Sequence, residues 1–142
     1  MIYLLDTNVC IAAMRGNPMV MQALVARSPE DCAVSMVSVF ELFAGVFRCN
    51  DPQGERRKVS NFLKPFHLLP FDWDSALKTA EIRCQLEKAG NKIGPYDLQL
   101  SSQALSLDLT IVTHNTREFK RVNGLRLEDW EVEEPKHDPV EN

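Results

Sequence analysis

Ile2-Tyr3-Leu4-Leu5-Asp6-Thr7-Asn8 opens the chain with four apolar or aromatic residues that run straight into an acid and two small polar residues. The apolar run is too short for a helix and has the length of a strand buried on both faces. Asp6-Thr7-Asn8 supplies turn and cap chemistry, and the apolar segment Val9–Met14 predicts a short helix that ends near Gly16-Asn17-Pro18. A strand that turns directly into a helix is half of a βαβ unit.

The pattern recurs along the chain. Met19–Arg27 predicts a second helix and Cys32–Ser35 a second strand. From Val37 to Phe47 the apolar residues crowd both faces, as in a helix packed deeply on a sheet. A polar break at 50–54 precedes an amphipathic helix over Glu55–Leu63, with Arg56, Arg57 and Lys58 outward. His67–Phe71 predicts a third strand, Asp74–Ala89 a long helix stopped by Gly90, and Gly94-Pro95 the start of a helix that runs through Leu107. Leu109–Val112 is a fourth strand and Leu125–Trp130 a short fifth. Strands alternating with helices predict an α/β fold, a parallel sheet of four to five strands flanked by helices.

The chain has 142 residues, which suits one domain. That domain is expected over 1–130, with 131–142 an acidic, disordered tail. The net charge of −4 resides in that tail, where Glu131, Glu133, Glu134, Asp138 and Glu141 outweigh Lys136. A neutral body can still present a basic rim, so the acidic balance does not exclude RNA. Cys10, Cys32, Cys49 and Cys84 show no CxxC spacing and are expected as buried free thiols of a reducing cytosol. The N-terminus lacks the basic region of a signal peptide, and no stretch approaches the roughly 18 apolar residues of a membrane span. A cytoplasmic location without membrane contact is expected.

Three carboxylates stand out by context. Asp6 ends the first strand, Glu41 is the only charge between Asp31 and Arg48, and Asp97 lies in the first turn of a helix. Thr113-His114-Asn115 follows the fourth strand. Open α/β sheets bind ligands beyond the carboxyl ends of their strands, where Asp6 and Asn115 fall and which the Glu41 and Asp97 helices can reach. Acids gathered there repel, and a hard divalent cation, Mg²⁺ or Mn²⁺, removes the conflict. Each residue also has a plainer role: Asp6 as a helix cap, Asp97 as a partner of the helix dipole, Asn115 as a turn residue. Glu41 is harder to explain away, because an acid in an apolar helix needs a partner.

Taken together these segments resemble the VapC-type toxins of the PIN-domain ribonuclease family, from Met1 to about Trp130. The resemblance is carried by Leu4–Asn8, by Ser35–Gly45, by Ile93–Asp97 with Leu100–Ala104, by Val112–Phe119 and by Gly124–Trp130. It implies metal ligation by Asp6, Glu41 and Asp97, with Asn115 at a fourth catalytic position that is often aspartate. Asparagine there removes a charge, so a second metal would be held less firmly unless Glu118 supplies the charge from its helix. Thr7, Ser38 and Thr113 are then hydroxyls that orient acids or waters. Arg15, Lys92, Arg117, Lys120 and Arg121 are the bases nearest these motifs, and could either grip phosphates or serve as solvated surface charge.

The implied activity is Mg²⁺-dependent hydrolysis of RNA phosphodiesters by metal-activated water, with initiator tRNA the substrate by analogy. The implied partners are a VapB-type antitoxin and a second copy of the chain. The antitoxin would lay an amphipathic segment in an apolar groove, with Phe43, Phe47 and the Arg56–Leu63 helix as its walls or else as core. A catalytically weak RNA-binding module and a housekeeping nuclease are the alternatives. Haloacid-dehalogenase chemistry fits less well, since it wants a second aspartate where Asn8 stands. A receiver domain fits less well too, since it wants paired acids after the first strand and a lysine after a late one.

Overall fold

The computed structural model describes residues 1–132. In chain order it contains β1 (Tyr3–Leu5), α1 (Thr7–Met14), α2 (Pro18–Val25), a 3₁₀ turn (Pro29–Asp31), β2 (Cys32–Ser35), α3 (Met36–Arg48) and α4 (Pro52–Leu63). Next come β3 (His67–Leu69), α5 (Trp73–Lys88), α6 (Pro95–Ser106), β4 (Thr110–Val112), α7 (Thr116–Phe119) and β5 (Leu127–Glu128). All five strands are parallel, in the order β3-β2-β1-β4-β5. The expected α/β class and strand count therefore hold.

Boundaries shift where local chemistry overrides pattern. α1 starts at Thr7 because Asp6 is its N-cap and accepts from Val9 N at 2.8 Å. α4 starts inside the stretch expected to be a polar break. Asp51 caps it by accepting from Gly54 N at 3.2 Å, and Pro52 begins the first turn. A Cβ at 54 would displace the Asp51 carboxylate from its cap, so glycine there lets the cap form. β3 stops at Leu69, before Pro70, which has no N–H to extend a ladder. α7 has four residues, too few to show a helical period in the sequence.

Side chains alternate across the sheet. Leu5, Val34 and Val112 point into one buried cluster with Val9, Cys10, Ala13, Val39, Leu42, Val46 and Val59, which α1, α3 and α4 contribute. Leu4, Ala33 and Ile111 point the other way, onto Leu100, Ala104 and Phe119 of α6 and α7. The sheet is thus covered on both faces, as apolar runs on adjacent parallel strands require. Arg27 ties the fifth strand to the first: its guanidinium lies 4.6 Å from the Trp130 ring centroid and 5.3 Å from that of Tyr3, and it pairs with Glu128 at 3.3 Å.

Two of the cysteine expectations need correction. Cys10 and Cys32 are buried, but Cys49, the residue that ends α3, is only half-buried, and Cys84 is exposed. Glu131, the first residue assigned to the tail, is held by Asn17 Nδ2 at 3.5 Å. Residues 133–142, and with them the rest of the expected tail, lie outside the described residues. Among the described residues no helix is long and apolar enough to cross a membrane.

Candidate metal centre

The strand order fixes where the site can form. β1 sits at the sheet centre between β2 and β4, and the chain leaves it first toward β2 and β3, later toward β4 and β5. The order therefore reverses between β1 and β4, and the crevice at their carboxyl ends is the place where such sheets bind ligands. Leu5 is in register with Val112, so Asp6 and Thr113 emerge side by side there; Asp6 N donates to Val112 O at 3.0 Å.

Asp6 plays both roles open in its sequence context. It caps α1, and it is also the innermost acid of the site, only 4% exposed. Burial pushes its carboxyl up from the usual range, Thr113 and Val9 oppose this by hydrogen bonding, and the charges of Glu131 and Glu41 add to it. Glu41 comes from α3 and is half-buried. Its Oε1 accepts from Thr7 Oγ1 at 2.7 Å, and Thr7 Oγ1 lies 2.9 Å from Ser38 Oγ. A hydroxyl pair from α1 and α3 thus fixes the acid that seemed isolated in an apolar helix. Asp97, in the first turn of α6, has its carboxyl pushed up to about 7 by burial, then by the charges of Glu118 and Asp6, with Glu41 adding less. The structure therefore brings the three expected acids into one electrostatic neighbourhood.

Asn115 and Glu118 belong to the same neighbourhood. Asn115 N donates to Thr113 Oγ1 at 3.0 Å, and Asn115 Nδ2 donates to Glu118 Oε2 at 2.7 Å. Of the three hydroxyls, Thr7 contacts both Glu41 and Ser38, and Thr113 accepts from Asn115 N.

The five bases divide. Arg15 is exposed and lines a groove that reaches Glu41, and Arg117 and Lys120 are exposed on and just after α7. Arg121 is committed elsewhere, since its Nη1 donates to Lys92 O at 2.7 Å and braces the segment leading into α6. Lys92 lines a separate ≈600 Å³ groove between α5 and α6.

Sequence reasoning missed two acids near this edge, Asp129 and Glu131. His114 Nδ1 lies 3.0 Å from Asp129 Oδ2 and 3.5 Å from Glu131 Oε2. These three are the only potential ligand trio among the described residues whose atoms all lie within 4.8 Å of one another. The signal was available: Asp129 follows β5 just as Asp6 follows β1. The reading also missed an aromatic pair on the α3–α6 seam, where Phe40 and Tyr96 have ring centroids 5.9 Å apart.

The donor set can be tested against a metal. Asp6, Glu41, Asp97 and Glu118 offer only carboxylate oxygens, and none forms an ion pair with a basic side chain among the described residues. Clustered, partly buried negative charge is costly even with the Arg121 charge acting on Glu118, and a hard divalent cation is the group that such oxygens fit.

A parallel sheet with acids at its central switch point defines a class of metal-site α/β domains, and the comparison with known proteins narrows it. The PIN domain family model matches residues 3–125, and the chain belongs to that family. Within it, the relatives are VapC proteins. The tRNA(fMet)-specific endonuclease VapC of Shigella flexneri is 34% identical over 128 residues, which is 90% of this chain and 97% of that protein. Ribonuclease VapC2 of Rickettsia felis is 34% identical over 134 residues, 92% of this chain and 99% of that one. Among solved structures, the crystal structure of DNA-bound VapBC from Salmonella typhimurium superposes with a TM-score of 0.86 at 31% identity, covering 92% of this chain and 98% of the other.

Proposed function

We propose that this chain is the toxin of a type II toxin–antitoxin pair, an endoribonuclease that hydrolyses RNA phosphodiesters with Mg²⁺, or Mn²⁺, held by Asp6, Glu41 and Asp97. The observation that carries this reading is the mutual charge repulsion of three carboxylates from separate elements beside the switch point of the sheet, with no basic side chain in ion-pair contact with them among the described residues. The Shigella relative is named for tRNA(fMet), and we extend that substrate, initiator tRNA, to this chain. The cytoplasm, where tRNA resides, is the site of action.

When bound, the cation supplies an acidified water and offsets charge on the phosphate. The chain's own residues do the positioning. Asp6 is fixed by Val9 N and Thr113, and Glu41 by Thr7, so neither acid must be ordered at the moment of reaction. Arg15, Arg117 and Lys120 are exposed, form no ion pair among the described residues, and can hold flanking phosphates. Cys10 offers no covalent alternative, because burial and the neighbouring Asp6 push its thiol far above the usual range and keep it protonated.

The antitoxin has a groove to enter. An opening of ≈530 Å³ runs between α1, α3 and α4, floored by Ile11, Leu42, Val46 and Val59, with Lys58 at its side and Arg15 and Glu41 also on its wall. The expected α4 wall is thus supported, whereas Phe43 packs against the core and Phe47 is 74% exposed outside the groove. An amphipathic antitoxin segment laid here would end beside Glu41. Expression of the chain alone should arrest bacterial growth with cleavage of initiator tRNA, and the co-expressed antitoxin should relieve it. A Cβ at Gly45 meets nothing within 4 Å on the groove wall, so Gly45→Trp should project into the groove and abolish relief while arrest persists. Harmless expression of soluble protein that cleaves RNA in vitro would instead favour a housekeeping nuclease.

We also propose a homodimer. α3 leaves Met36 and Phe40 exposed one helical turn apart, and α5 likewise leaves Trp73, by 77%, and Leu77. An isologous contact through these helices would join two acidic sites and two sets of flanking bases on one surface. Light scattering at micromolar concentration should give twice the 16.1 kDa chain mass at low and high salt. Trp73→Glu should shift it to monomer, and a monomeric wild type at both salts would remove the proposal.

A further inference from the structure

Two exposed aromatic rings border the acidic crevice. Phe40 immediately precedes Glu41 on α3, and Tyr96 immediately precedes Asp97 on α6. Their ring centroids lie 5.9 Å apart at an interplanar angle of 59°, so the pair bridges the two helices that deliver two of the three acids. Successive residues leave a helix about 100° apart around its axis, which sets each ring beside its acid rather than in the acid's place. The charge of Glu41 acts on Asp97, so this aromatic bridge runs along the edge of one electrostatic neighbourhood.

The rings are not core. Tyr96 is 42% exposed and Phe40 58%, and neither belongs to a buried cluster. A tilted neighbour covers one side of a ring at most, so Tyr96 keeps an open face. A phosphodiester held at the acids carries a base on each side of the scissile phosphate. Every base has a π-face, and aromatic side chains are the surface on which unpaired bases stack, largely without regard to sequence.

We propose that Tyr96 is a nucleobase-stacking residue, which holds an unpaired base flanking the scissile phosphate, and that Phe40 buttresses its ring. The inference rests on the ribonuclease reading above and deepens it by naming a contact that places the strand. Tyr96 stands on α6, outside the two helices assigned to the two-fold contact, and Phe40 can support it from one side while α3 meets a second copy of the chain.

The rival role is a staple of two rings that ties α3 to α6 and touches no RNA. Tyr96→Ala removes the ring, and Tyr96→Leu keeps apolar bulk without a π-face. Steady-state cleavage by the full chain in Mg²⁺ is followed on a single-stranded RNA that spans the cut mapped in initiator tRNA. Both variants should raise KM by at least about fivefold with kcat within about threefold of wild type, and Tyr96→Trp should hold KM within about twofold. The stacked base is located by placing an abasic nucleotide at each position next to the cut in turn. At one position the wild type should lose as much as Tyr96→Ala loses on the intact strand, and combining the two changes should add less than about twofold.

Wild-type KM in both folded variants, or losses that multiply at every abasic position, would overturn the proposal. A lower kcat and melting temperature with KM unchanged would assign the pair to the staple. A shift of Tyr96→Ala from dimer to monomer in light scattering would assign the ring to a second copy of the chain, and would overturn it too. Should Tyr96→Ala unfold, Tyr96→Leu and the abasic series on the wild type decide the matter. A wild type that cleaves no RNA removes the ribonuclease reading and this proposal with it, whereas an active wild type matched by its variants removes this proposal alone.

Discussion

Asp6→Asn should fold as the wild type does and cleave RNA more than about 100-fold more slowly, beyond the range seen when only a ligand's supporting partner is lost. The two halves of this expectation come from separate features of the residue. Its carboxylate caps α1 through Val9 N, and asparagine caps helices about as well as aspartate, so the cap and the turn from β1 survive. Removing the buried charge also relieves repulsion from Glu41 and Glu131, which favours the fold. What the substitution removes is one anionic oxygen at the centre of the site, where Asp6 is the acid nearest the sheet switch point. Circular dichroism and a melting curve would verify the fold, and cleavage of initiator tRNA at saturating Mg²⁺ would measure the loss. Near wild-type cleavage by a folded variant would falsify the central role of Asp6.

The same residue shows how much of the molecule was legible in its sequence. Ile2–Leu5 with Asp6 behind it announced a buried strand turning into a helix, and the recurrence of that unit predicted the class and strand count. Element ends were less legible, because single hydrogen bonds decide them. Asp51 and Pro52 start α4 within a segment whose composition reads as loop, and Pro70 stops β3 early. The acids were legible as candidates, since each lay at a strand end, in a helix first turn or in an apolar context. Their partners were not. Nothing in local pattern says that Thr7 meets Glu41 across 34 residues, or that Glu118 reaches back 24 residues to Gly94. Those contacts exist because β1 and β4 are neighbours and α3 and α6 converge at one edge, and strand order is a property of the whole sheet. Asp129 was missed for a different reason: β5 is only two residues long, and the strand expected over Leu125–Trp130 placed Asp129 inside it rather than just behind its end.

Withdrawal of the cation should abolish cleavage altogether. With EDTA the chain should be inert toward RNA, and Mg²⁺ or Mn²⁺ should restore activity better than softer ions, because the site offers carboxylate oxygens with neither thiolate nor a required imidazole. Stability should respond as well. The site holds several partly buried acids that form no ion pair among the described residues, so a cation that binds only the folded chain stabilises it, by about 2.7 kcal/mol at a hundred times its Kd. The melting temperature in Mn²⁺ should therefore exceed that in EDTA. Protons compete for the same oxygens. Asp97, pushed up to about 7 by burial and by Glu118, must lose its proton before it can face a cation. At fixed, sub-saturating Mg²⁺ cleavage should thus fall as pH drops below about 7, and excess Mg²⁺ should recover part of the loss. Full cleavage under chelation would shift attention to His114, which stands exposed beside the site with Asp129 at 3.0 Å to orient its ring. The acids would then be structural, and the reaction would be acid–base hydrolysis without a metal.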